Sequence, residues 1–179
     1  SQTPMHFMAK AGHFDKQPNR FVMFSTGQIE TFRKDGARDA LARAVDVIES
    51  GHCLGVFPEG TRSRREVAPM LQPAKTGFAR LAAKFPNVPV VPVTMSIGAR
   101  EFMPPGSKFP KPWKRIELIV DDPLTFGEWA QHDQGGAIDD KWIDEISNLG
   151  VEERQDSMRP LYRKFADQFI ETQKMRGAP

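Results

Sequence analysis

The stretch Phe57-Pro58-Glu59-Gly60-Thr61-Arg62-Ser63 places an acid, a glycine and an arginine within four residues, directly after a short apolar run. Charged groups this dense are costly to bury, because each loses hydration that must be replaced. They suit the holding of an anion. A guanidinium donates paired hydrogen bonds to a phosphate or carboxylate, and a glycine lets backbone N–H groups come close to it. Two other stretches carry related chemistry: Gly27 stands six residues before Arg33, and Lys75-Thr76-Gly77 lies downstream. Taken alone, the seven-residue motif also reads as a surface turn closed by a salt bridge.

Presenting such a motif requires a strand end. Cys53-Leu54-Gly55-Val56-Phe57 is too short for a helix and runs into turn residues, the pattern of a buried strand in an α/β sheet. In these sheets ligands gather at the carboxyl ends of strands. Before it, Leu41, Val45 and Ile48 recur at helical spacing from Ala40 to Ser50, and Gly51 supplies a stop. After it, Thr76 is placed to cap a helix with Phe78, Leu81, Ala82 and Phe85 on one face, ended by Pro86-Asn87.

The β-branched run Val88 to Met95 predicts a strand with a ladder interrupted at its prolines, and Arg115 to Val120 predicts a strand with Ile116, Leu118 and Val120 on one face. Met5 to Ala9 is already strand-like. Alternating strands and helices predict an α/β fold with a mixed, largely parallel central sheet flanked by helices. Ile138, Trp142, Ile146 and Leu149 predict one C-terminal helix; Met158, Leu161, Phe165 and Phe169 predict another, with Pro160 near its first turn. Together these helices occupy residues 137–175, and Asp133 to Ala137 reads as a flexible loop.

Length and composition narrow the function. A chain of 179 residues reads as one domain, residues 1–179, large enough for a sizeable core. Apolar residues make up 39% and charged residues 27%, and no run approaches the roughly 18 apolar residues of a membrane span. A net charge of only +2 argues against nucleic acid as partner. Cys53, the single cysteine, excludes a disulfide framework and reads as a buried, inert thiol. His6 and His13 lack metal-ligand spacing, so no metal is expected, and no nucleotide-binding glycine loop is present. The opening Ser-Gln-Thr-Pro is no targeting sequence, and a strand pattern begins four residues later, so the chain is expected to enter its fold partway through.

From about Phe7 to Phe126 the chain resembles the glycerophospholipid acyltransferases, the family that includes 1-acyl-glycerol-3-phosphate acyltransferase. Its Gly-x5-Arg block is matched at Gly27 and Arg33, its Phe-Pro-Glu-Gly-Thr-Arg block at Phe57 to Arg62, its Val-Pro strand at Val90 to Val93, and its Phe-x-Ala-Lys segment at Phe7 to Lys10. The resemblance implies a glycerol-3-phosphate acyltransferase-like fold. It also implies phosphate-binding roles for Arg33, Glu59, Gly60, Thr61, Arg62 and Lys10.

The family's His-x4-Asp catalytic pair is absent. The fifth residue after His6 is Ala11, after His13 Pro18, after His52 Phe57 and after His132 Ala137. In the family that pair precedes the Phe-x-Ala-Lys segment, so the expectation is truncation before the block, with no catalytic residue in this chain. The implied chemistry is transfer of an acyl group from acyl-CoA or acyl carrier protein to 1-acyl-sn-glycerol 3-phosphate, giving phosphatidate without a further cofactor. The expected partners are a lysophospholipid acceptor, the thioester carrier and the cytoplasmic surface of a membrane, where the protein would be peripheral. Phe102 to Arg115 interleaves aromatics with cations and could rest on anionic lipid, or fold inward as an ordinary proline-rich connection. A catalytically silent lysolipid-binding module, or an enzyme with another glycerophosphate acceptor, would carry the same motifs.

Overall fold

A computed structural model describes residues 4–31, 37–61, 63, 65, 67, 70–96, 98–107 and 109–178. The chain divides into two compact units, Ser1–Phe57 and Pro58–Pro179.

The first unit is built on three parallel strands, β1 (Met5–Lys10), β2 (Ile29–Thr31) and β3 (Cys53–Gly55), in the order β2-β1-β3. Met8 pairs with Ile29 on one side of β1 and Met5 with Cys53 on the other. Parallel neighbours need crossovers. The first contains α1 (Asn19–Ser25) and the second is α2 (Ala37–Glu49), which lies across all three strands. On α2 Ala40 and Ala44 are buried, at 7% and 0% exposure, while Leu41, Val45 and Ile48 are half-buried beside them. Two alanines one turn apart let the helix sit close to the sheet, and the larger side chains fill its flanks.

Two expectations are corrected in this unit. Cys53 is exposed, because it opens an edge strand rather than a central one. The strand also stops at Gly55, two residues before the expected end at Phe57. Gly55 is tightly covered: a Cβ there would collide with the Phe7 ring, which stacks on Phe57 at 5.9 Å between centroids.

The second unit joins an antiparallel pair, β4 (Val93–Met95) and β5 (Leu118–Val120), to α3 (Gly77–Lys84), α4 (Ala99–Phe102), α5 (Phe126–Gln131), α6 (Asp140–Ser147) and α7 (Val151–Met175). The interrupted ladder appears as expected: Val90 bridges Leu124, and regular pairing resumes only after Pro92. The expected strand from Arg115 shrinks to Leu118–Val120, with Leu118 and Val120 on its exposed side at 58% and 66%. The α/β reading holds, with three parallel strands and one antiparallel pair, and with helices against them.

The core of this unit gathers Ala79 and Ala82 of α3, Phe126, Trp129 and Ala130 of α5, and Leu161 and Phe165 of α7. Thr76 does precede α3 but makes no side-chain capping bond. Pro160 lies deep inside the 25-residue α7 instead of near its first turn. Asp133 to Ala137 is a packed turn rather than a loose loop. Gly136 N donates to Trp129 O at 2.9 Å, and buried Gly135 has no room for a Cβ against that same carbonyl.

Candidate functional site

The turn after β3 is the centre of the candidate site, and all of it from Pro58 onward belongs to the second unit. Gly60 adopts φ +66°, a left-handed conformation that a side chain would strain, so the turn reverses sharply at the residue the motif reserves for glycine. Thr61 is exposed at its tip. Glu59 reaches in the other direction: its Oε2 accepts a hydrogen bond of 2.6 Å from Gln72 N. This bond braces the returning segment 70–75 against the turn.

The same segment is fastened twice more. Lys75 N donates to Pro58 O at 2.8 Å, and the Arg163 guanidinium of α7 donates to Ala74 O at 2.8 Å. Ala74 is 2% exposed and packs with Ala166 and Ile170. Lys75, which the sequence offered only as a downstream marker, is thereby held beside the turn. A Cβ on Gly60 would lie 3.1 to 3.3 Å from its Cδ, Cε and Nζ.

Of the residues expected to bind phosphate, Glu59, Gly60 and Thr61 are therefore adjacent in one turn. Arg33 and Arg62 lie outside the described residues. Lys10 closes β1, where its backbone pairs with Thr31.

The histidines do other work. His6 Nδ1 lies 2.5 Å from Gly27 O, its ring stacks on His52 at 5.1 Å, and Nε2 is buried without a partner among the described residues. His132 accepts from Gln134 N at the end of α5. Among the described residues no histidine is bonded to a carboxylate, and no group of three or more His, Cys, Asp or Glu is placed to hold a metal. Within the first unit an open, mainly apolar cleft of about 480 Å³ is lined by Phe7, Met8, Ala9, Met23 and Phe57, with His13, Thr26 and Gln28 as polar members.

The Phe102 to Arg115 segment presents rather than buries its outer aromatics, with Phe109 78% and Trp113 76% exposed. Lys114 is paired with Glu101 at 3.0 Å. No helix of the described residues is long and apolar enough to cross a membrane.

A family model described as "Acyltransferase" matches residues 1–96, which include every expected phosphate-binding residue. The chain is 32% identical over 120 residues to the chloroplastic 1-acyl-sn-glycerol-3-phosphate acyltransferase BAT2 of Brassica napus, a match covering 66% of this chain and 33% of that protein. It is 31% identical over 120 residues to the chloroplastic 1-acyl-sn-glycerol-3-phosphate acyltransferase LPAT1 of Arabidopsis thaliana, covering 66% of this chain and 32% of that protein. The chain thus spans about a third of the length of these curated relatives. No solved structure matches it significantly.

Proposed function

The chain belongs to the glycerophospholipid acyltransferase family, and from that premise we propose that it forms the body of an enzyme acylating 1-acyl-sn-glycerol 3-phosphate to phosphatidate. The observation that carries this reading is the left-handed turn at Gly60, directly after β3, inside the family-matched residues. In it the backbone N–H groups of the turn and the guanidinium of Arg62 grip the acceptor's phosphate, with Arg33 and Lys10 in the same role. The whole of residues 1–179 is assigned to one acyltransferase domain.

The reaction is direct. A histidine oriented by an aspartate, from a His-x4-Asp block in the parent protein, takes the proton of the acceptor hydroxyl. The oxygen attacks the thioester carbonyl, a C–O bond forms as the C–S bond breaks, and the thiolate of acyl-CoA or acyl carrier protein leaves and recovers the proton. Phosphate binding adds position and electrostatic stabilisation rather than bond-making. The apolar cleft beside β1 offers room for an acyl chain. Exposed Phe109 and Trp113 support a peripheral site on a membrane surface, where both acceptor and product reside.

The test is an acyl-transfer assay of the parent protein with 1-acyl-sn-glycerol 3-phosphate, glycerol 3-phosphate and a lysophospholipid of larger head group. Arg62→Ala is expected to lower efficiency on the preferred acceptor by about tenfold or more, the loss of one charge-assisted hydrogen bond or a pair. Unchanged KM and kcat in that variant would refute the phosphate assignment. Absence of transfer to any acceptor, with binding retained, would favour a silent lysolipid-binding module. For the surface, replacing Phe109 and Trp113 together by serine is expected to weaken sedimentation with anionic vesicles; equal binding would remove the segment from the membrane reading.

A further inference from the structure

We propose that Lys75 is a further anion-binding residue of the Gly60 turn, its ammonium donating to the phosphate that the turn receives. The inference rests on the reading of this turn as a phosphate site and adds to it a cation that the motif does not contain. Charge gives the first argument. Glu59 contributes a carboxylate at the base of the turn, and a phosphate brought beside it meets repulsion unless a positive group stands as near. Lys75 stands there: its Cδ, Cε and Nζ are 3.1, 3.2 and 3.3 Å from the position a Gly60 Cβ would take.

Mounting gives the second argument. The residues on which Lys75 sits are fixed by Gln72 N to Glu59 Oε2 at 2.6 Å, by Lys75 N to Pro58 O at 2.8 Å and by Arg163 to Ala74 O at 2.8 Å. Glu59 is thus a positioning residue that holds the lysine's segment to the turn, while its own carboxylate is occupied. Lys75 itself is exposed, and among the described residues its ammonium makes no hydrogen bond or ion pair, so a ligand would not have to displace a partner. Gly60 has a second use here besides its φ of +66°: the absence of a Cβ lets the lysine stem lie across the turn.

The experiment titrates the 179-residue chain with glycerol 3-phosphate at low salt, with glycerol as the uncharged control. Lys75→Met keeps the aliphatic stem and removes the charge. It is expected to weaken glycerol 3-phosphate binding by about tenfold or more, as for one charge-assisted hydrogen bond. Lys75→Arg is expected to restore binding to within about threefold of the original, and both variants to keep the melting temperature of the parent chain. If Lys75→Met binds as tightly as the parent while Arg62→Ala loses binding, the inference falls and the acyltransferase reading stands. Should Lys75→Met lose binding while the parent protein transfers no acyl group, the reading falls and the inference stands. If the parent chain discriminates in no way between glycerol 3-phosphate and glycerol, both are overturned.

Discussion

At the scale of single residues, a capping box of Thr125 and Glu128 opens α5. Thr125 Oγ1 accepts from Glu128 N at 3.2 Å, and Thr125 N donates to Glu128 Oε2 at the same distance. The Thr125 hydroxyl also donates to Glu128 Oε2 at 2.7 Å, and these bonds hold the Glu128 carboxyl below its ordinary value of 4.5. A carboxylate favoured by folding adds stability that is complete above its unfolded pKa and is lost as pH falls through the folded one. Thr125→Ala is expected to lower the unfolding free energy by about 1 kcal/mol in urea titrations. It should also return the Glu128 titration, followed by carboxyl carbon shifts, towards 4.5. A second residue-scale expectation concerns Gly135. Its missing Cβ makes room for the Trp129 carbonyl, so Gly135→Ala must open the turn that ends α5 and lower the melting temperature well beyond what an exposed loop substitution does.

At the scale of elements, α7 organises the second unit, because Leu161, Phe165, Ala166 and Ile170 present one buried face to two clusters. Phe165 is the pivot, with ring centroids 5.8, 5.3 and 4.9 Å from Phe78, Phe126 and Trp129. Phe165→Ala is expected to cost about 3–5 kcal/mol, a large share of the roughly 5–15 kcal/mol that such domains possess; a urea midpoint shifted only slightly would contradict this packing. Leu161 and Phe165 of that face were legible in the sequence because they recur at helical spacing with Met158 and Phe169, whereas Ala166 and Ile170, also buried, were not picked out. The extension of α7 back to Val151 was not: residues 152–157 are all polar, so no apolar period marks them and Pro160 reads as a start. Strand lengths were poorly legible for a related reason, since pairing depends on a partner. Residues 115–117 alternate well and Ser96 N still donates to Glu117 O at 3.1 Å, yet the regular strand pairing of β4 with β5 runs only from Val93 with Val120 to Met95 with Leu118. The turn of Glu59 and Gly60 could be read from its own residue types. The neighbourhood of Lys75 could not, because Gln72 and Lys75 reach the turn through a chain return stabilised by Arg163, which lies far along the sequence.

At the scale of the whole molecule, the two units differ in what they can sustain alone. Among the described residues, the buried apolar side chains of Ser1–Phe57 are those of Phe14, Ile29, Ala40 and Ala44. Pro58–Pro179 holds the other buried apolar side chains of the described residues, including Phe126, Trp129, Leu161 and Phe165. Small units bury too small a share of their surface to offset chain entropy, and below about 60 residues folding alone is marginal. Residues 58–179 expressed separately are therefore expected to unfold cooperatively on heating, with near-ultraviolet circular dichroism from their packed tryptophan. Residues 1–57 expressed separately are expected to show no such transition. The proposal of a single domain over residues 1–179 makes a further demand: the whole chain should melt in one transition, with calorimetric and van't Hoff enthalpies equal. Two resolved transitions, with the upper one matching residues 58–179 alone, would divide the domain at the motif. The phosphate turn would then belong to the more stable part, and glycerol 3-phosphate should raise the upper transition, because a ligand stabilises the state that binds it.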